Sequence, residues 1–454
     1  MSLPVEERLV EAGLTPAEAR RKRELFGSVD AAFGSATGGA SARARWFVPG
    51  RIELMGKHTD YAGGRSLLCA VGRGFCVAAS PRDDGILRVV DAGRNLSAEV
   101  PLDSALVPSA SGWKVYLETV AFRLARNFPG LRGADVALSS DLPRASGLSS
   151  SSALVVALFT ALSELNDLPE RREYRDSIRN SEDLGGYLGA LENGRAFGRL
   201  SGEHGVGTFG GSEDQTAILC SRAGTITQYA FCPVRRERSI SWPDGWTLVV
   251  ASSGIASDKT GDVRDRFNRL SLAASAILEL WNRSARREDG SLLAAATGVP
   301  GAAERIRNLL RVIPVAGDGF TPEFLTGRFD QFLEESTALV PAVGDWLARD
   351  DVVPIGPLVD RSQELAEKCL GNQIPETVAL QRSARALGAA AASAFGGGFG
   401  GSVWAIVRTE EADGFRKRWG ESYAEAFPNP TGRSRFFATQ PGPAVVRLSG
   451  VLPL

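Results

Sequence analysis

Apolar positions along the chain follow two different periods. In "ALVVALFTALSEL" they fall at Leu154, Leu158, Leu162 and Leu165, the stripe of one helix face. "GWKVYLETVAFRLARNF" and "SEDLGGYLGALENG" share that spacing, and residues 3–34 predict a helical appendage. "ADVALSS" alternates with period two, as a half-buried strand does. "WFVPGRIELMG" starts as a strand, and "GWTLVVASSG" is apolar enough for a buried one. "GFCVAASPRDDGILRVVDAG" predicts a hairpin turning at Asp83-Asp84-Gly85. "AILCSRAGTITQYAF" predicts a second, around Arg222-Ala223-Gly224. Residues 262–390 are mostly helical in pattern, and "GSVWAIVRTEEADGFRKRW" reads as a strand followed by a helix. Hairpins mixed with helices, without regular βαβ alternation, predict an α+β fold.

Length and composition narrow the setting. A chain of 454 residues suggests two or three domains, or one large two-lobed enzyme. The Ser/Gly/Ala stretch "GSATGGASARAR" looks like a linker after the N-terminal helices. With 52 basic and 53 acidic residues, nothing in the charge points to nucleic acid or a membrane surface. Five cysteines without a CxxC spacing fit a reducing cytoplasm, and two histidines leave little room for a histidine zinc site. The N-terminus lacks the apolar core of a signal peptide. No apolar run approaches the roughly 20 residues a membrane helix needs. These features predict a soluble cytoplasmic protein; they do not set the oligomeric state, for which a monomer is the favoured expectation.

Three stretches carry candidate chemistry. "PGRIELMGKHTDYAGG", residues 49–64, nearly spells a phosphate-binding P-loop. It fails because five residues separate Gly50 from Gly56 and His58 follows Lys57 where a magnesium-binding hydroxyl belongs. A better phosphate site lies in "SSDLPRASGLSSSSALVVALFTAL". There Gly147 and the serines Ser149, Ser150, Ser151 and Ser152 lead into a helix, whose free N–H groups attract anions. A serine hydroxyl also suits Mg²⁺. The alternatives are a simple helix cap, or a serine hydrolase, whose G-x-S-x-G elbow is missing its last glycine. "FGGGFGGSVWAIV" is a glycine-rich turn into a strand. "GTFGGSEDQTAIL" places Asp214 after Gly210-Gly211, at what reads as a strand entry.

Taken together, these stretches resemble the GHMP small-molecule kinases, and within them the galactokinase branch. "PGRIELMGKHTDYAGG" resembles the signature P-G-R-hydrophobic-x-hydrophobic-hydrophobic-G-E-H-T-D-Y-x-G-G. "PRASGLSSS" resembles the P-x-x-x-G-L-S-S-S phosphate loop, "GGSEDQ" the G-x-M-D-Q segment, and residues 396–401 the late G-G-G-F-G-G motif. The resemblance implies a two-lobed fold with the active site in the cleft. Residues 1–45 would be an extension, 46–240 the N-terminal lobe and 241–454 the C-terminal lobe. It implies phosphoryl transfer from ATP to a sugar hydroxyl, the anomeric one. Asp214 and Arg51 would be catalytic. Lys57, His58, Asp60 and Gly211 would line the sugar pocket. Gly147, Leu148 and Ser149 to Ser152 would hold ATP. Mg²⁺ would sit on Ser150 or Ser151 and an acidic residue, Glu192 in preference to Glu203.

Two departures bear on the substrate. The branch carries Glu at position 57, where it accepts from the C6 hydroxyl of galactose. Lys57 has donors only, which raises the expectation of an anionic substrate such as a uronic acid. The alternatives are Lys57 turned to solvent or a differently shaped neutral sugar. The segment "SSGIASDKTGDVRDRFNRL" lacks the tyrosine the branch brings near the sugar, and offers Lys259 and Arg264 instead. A sugar-sensing pseudokinase and a GHMP kinase for another alcohol are the competing functions.

Overall fold

The structure is a computed structural model that describes residues 4–449 apart from 110–111, 145, 257–260, 313–318 and 430–431. Lys259 therefore lies outside the described residues. In chain order the strands are β1 (Ala44–Met55), β2 (Arg65–Arg82), β3 (Ile86–Asp91), β4 (Leu96–Pro101), β5 (Gly133–Ser140), β6 (Thr225–Ala230) and β7 (Arg235–Ser241). They continue with β8 (Trp246–Ser252), β9 (Ala391–Phe395), β10 (Ser402–Arg408), β11 (Arg435–Thr439), β12 (Pro441–Gly442) and β13 (Val446–Ser449).

Among the described residues, nine strands form one sheet. Its main path is β13-β1-β2-β5-β3-β4, with β12 and β6 on β2, and β7 on β6. The second sheet is β11-β8-β10-β9. Among the described strands every pairing is antiparallel except β3 with β5. One hydrophobic core joins the sheets, from Trp46, Ile52 and Val77 to Leu248, Trp404 and Ile406. The α+β arrangement matches the mixed hydrophobic periods.

Several local expectations change. The strands either side of Asp83-Asp84-Gly85 are not partners, because β5 enters between them. Gly133 makes the split feasible: its N–H donates to Asp84 O at 2.8 Å, and a Cβ there would lie 2.3 Å from two carbonyl oxygens. The second expected hairpin is a helix, Glu213–Cys220, followed by β6. Its apolar run Ala217-Ile218-Leu219 is too short to distinguish helix from strand by period. Asp214 thus lies in the first turn of a helix, not at a strand entry.

The lobe boundaries also differ from those expected. β12 and β13 return to β2 and β1, so the last described residues belong to the N-terminal sheet. The N-terminal helices Val5–Glu11 and Pro16–Ala36 are a layer on that sheet. Phe26, Val29 and Phe33 pack with Phe47, Cys76, Ala78 and Ala137. The long helix starts with a Thr15–Glu18 capping box and Pro16 in its first turn, which fixes where it begins.

Candidate active site

β1 delivers Arg51 to the centre of the molecule, 3% exposed. Its guanidinium donates to Asp214 Oδ1 from Nε at 2.7 Å, with a second nitrogen 2.5 Å away. It also donates to Gly147 O at 2.5 Å. Burial disfavours the Arg51 charge, but Asp214, Glu213 and Glu53 outweigh that and raise its pKa. Asp214 is positioned by its helix, whose first N–H, on Glu213, donates to Asp60 Oδ2 at 3.1 Å. Gly211 has to be glycine here, because a Cβ would lie 2.2 Å from Asp60 Oδ2.

The serine loop approaches from the other side. Ser149 has φ 58° and ψ 43°, and its buried hydroxyl has no partner among the described residues. Such an orphan is costly unless a ligand satisfies it. Leu148 is a core residue whose carbonyl accepts from Arg51 N at 3.3 Å. Ser152 Oγ lies 2.9 Å from Glu192 Oε2 and 3.1 Å from Asp214 Oδ2, and its single proton serves one of them at a time. Gln215 Nε2 donates to the same Glu192 oxygen at 2.5 Å. Ser152 is thus a loop hydroxyl that meets Glu192, while Ser150 and Ser151, the expected Mg²⁺ ligands, line the larger cavity. Glu203 lies elsewhere, more than half exposed and paired with Arg126.

The sugar-motif loop is held by a helix the sequence reading did not single out. Arg328, Gln331 and Glu335 recur at i, i+3 and i+7, on one helical face. Arg328 donates to His58 O at 2.6 Å, Gln331 to Lys57 O at 3.0 Å, and Glu335 Oε1 accepts from Gly56 N at 2.9 Å. Arg328 also donates to Tyr61 OH, which lies 3.0 Å from His58 Nδ1. His58 Nε2 is 3.2 Å from Gly397 O in the glycine-rich turn. Burial raises the Tyr61 pKa to about 12, with Arg328 opposing, so its hydroxyl stays protonated. The i, i+3, i+7 spacing of these polar residues was the available sign.

Lys57 does not join the other sugar-motif side chains. It is 1% exposed, is absent from the cavity wall, and donates to Ser362 Oγ at 2.9 Å. Ser362 in turn donates to Glu335 Oε1 at 2.9 Å. Lys57 is turned neither to solvent nor to the cavity.

Two cavities meet at the Arg51–Asp214 pair. One is lined by Glu53, His58, Asp60, Ser152, Glu192, Gly211 and Glu213 among others. The second, of about 490 Å³, is lined by Gly147 and Ser149 to Ser151, together with Trp113, Tyr116, Asp91, Arg94, Arg144 and Arg264. Arg51, Asp214 and Gly397 line both. Trp113 and Tyr116 were read only as part of a helix. The aromatic pair at that helix start was the available signal.

Comparison with known proteins identifies the family. Residues 31–81 match the galactokinase galactose-binding signature. Residues 115–194 match the GHMP kinases N terminal domain, and 346–425 match GHMP kinases C terminal. A galactokinase of Chloroflexus aggregans is 32% identical over 374 residues, covering 81% of this chain and 85% of its own. One from Actinobacillus pleuropneumoniae serotype 3 is 28% identical, covering 85% and 90%. The fold is that of the Lactococcus lactis galactokinase solved with galactose, at TM-score 0.75 and 19% identity, over 93% of this chain and 99% of that one. This chain therefore belongs to the GHMP kinases, in their galactokinase-like branch, and is a sugar kinase.

Proposed function

We propose that the protein transfers the γ-phosphoryl group of ATP to the anomeric C1 hydroxyl of a galactose-like monosaccharide. The supporting observation is the meeting of the two cavities at Arg51 and Asp214. The sugar occupies the cavity of His58, Asp60 and Gly211. The nucleotide occupies the larger one, with its phosphates at the helix N-terminus and the orphaned Ser149 hydroxyl. Its wall supplies the flat rings of Trp113 and Tyr116 for a base, and Arg94 and Arg144 for negative charge.

Asp214 orients the sugar hydroxyl for attack. Its Oδ1 is committed to Arg51, which leaves that oxygen placed to align rather than to take a proton. That suits a loose transition state, where alignment and charge neutralisation matter more than full proton removal. Arg51 is fixed by Gly147 O and stands ready for negative charge on the moving phosphoryl group. Glu192, Ser152 and Asp214 form an all-oxygen donor set, which fits Mg²⁺. Bound there, the ion would offset charge on the phosphates.

Lys57 is turned away, and the sugar cavity carries Glu53, Asp60 and Glu213. This acid-rich wall supports a neutral sugar over a uronic acid. The compartment is read as the cytoplasm, with all five cysteines unpaired, and the working unit as a monomer.

The test is ATP- and sugar-dependent ADP release, with ³¹P NMR of the product. Phosphate on C1 is expected, and Asp214→Asn should lower kcat by roughly 10³-fold or more. A phosphate on another carbon, or sugar binding without turnover, contradicts the reading.

A further inference from the structure

The sugar cavity holds an acid where the branch's signature leaves the residue unspecified. Glu53 lies on β1 two residues beyond Arg51, so both side chains leave the same face of the strand. It is 1% exposed and lines the cavity. Its Oε2 accepts from Gly396 N at 3.3 Å. Its Oε1 is buried and accepts from no described N–H, and the carboxyl group nearest it is that of Glu213.

The surroundings show how such an acid is tolerated and what it lacks. Arg51 and Lys57 favour its charge, while Glu213 and Glu335 bring further acid close. Lys57 is anchored behind the wall by Ser362, where it balances Glu53 and Glu335. Glu213 faces Glu53 and can donate to it only when protonated. The wall is thus rich in acceptors, with Glu53, Asp60, Glu192, Glu213 and Asp214 all lining it. A polyol supplies donors.

We infer that Glu53 is a substrate-contacting specificity residue, whose carboxylate accepts a hydrogen bond from a hydroxyl of the bound sugar. The acceptor found at position 57 elsewhere in the branch has moved to position 53, and Lys57 is its charge partner. The pocket keeps an acidic wall, selects neutral hexoses and rejects uronates. This rests on the sugar-kinase reading.

The experiment has two stages. Wild-type protein is first assayed for ADP release with D-galactose, D-glucose, D-mannose and D-galacturonate. A neutral hexose should be preferred. The best hexose and its monodeoxy analogues are then tested on Glu53→Leu and Glu53→Gln. Leucine should raise the sugar KM roughly 10- to 100-fold with the ATP KM unchanged, since it removes a charged acceptor. Glutamine keeps one acceptor oxygen and should cost only a few-fold. On the analogue lacking the hydroxyl that Glu53 holds, the penalty should vanish. An unaltered sugar KM, an equal penalty on every analogue, or preference for galacturonate overturns the inference while leaving the kinase standing. No ADP release with any sugar overturns the kinase reading itself. Should the leucine variant not fold, the glutamine variant with the same analogues carries the comparison.

Discussion

Glu53 and Lys57 are both buried and lie near enough for their charges to interact, with consequences apart from substrate. Burial raises the Glu53 pKa from 4.5 to about 7, against the pull of Lys57 and Arg51. The folded protein therefore holds a proton that the unfolded chain releases earlier. The associated stability is fully present below pH 4.5 and is lost as pH rises through about 7. Glu53→Gln has no such proton to lose. Relative to wild type, it should gain stability between pH 5 and pH 8, read from urea unfolding midpoints at each pH. Parallel curves for the two proteins would show that Glu53 titrates normally in the fold.

At the scale of elements, the helix Pro322–Glu334 and its continuation at Glu335 hold three successive backbone groups of the sugar motif. His58 needs that grip because its backbone sits at φ 57°, a left-handed conformation costly for a non-glycine residue. Arg328→Met removes the contacts to His58 O and Tyr61 OH. The sugar KM should rise roughly tenfold or more, and the ATP KM should stay within about twofold. A change in both, or in neither, would separate the helix from the sugar loop. This element also marks the limit of what the sequence made legible. The motif residues Arg51, His58, Asp60 and Asp214 could be placed at one site because their local spacing follows the family pattern. The helix that holds the backbone of residues 56–58 is far away in the chain, with Arg328 270 residues from His58, and its polar i, i+3, i+7 spacing names no partner before folding. The same limit applies to Lys57. The charge reversal is plain in the motif, but the direction of the side chain depends on Ser362 and Glu335, brought close only by tertiary packing. The hairpin at residues 83–85 failed likewise, because the turn chemistry was correct and the intruding strand β5 is non-local.

For the whole molecule, both chain ends brace the lobe that bears the phosphate loop. At the C-terminal end, Arg447 on β13 makes a forked contact with Glu164 in the helix that the serine loop begins. At the N-terminal end, Lys22 is fully buried and pairs with Asp141, at the entry to the loop. Asp141 also accepts from Gly74 N at 2.9 Å, and its carbonyl accepts from Arg73 at 2.9 Å. An appendage would be dispensable, whereas a layer carrying a buried ion pair is not. Breaking such a pair from one side leaves an uncompensated buried charge, worth about 3–5 kcal/mol. Lys22→Met should therefore lower unfolding stability by about 3 kcal/mol, with the sugar KM unchanged because the sugar cavity lies across the Arg51–Asp214 pair. The measurement is the urea midpoint together with sugar and ATP titrations. A midpoint equal to wild type would mean that the N-terminal helices lie on the sheet without bracing it.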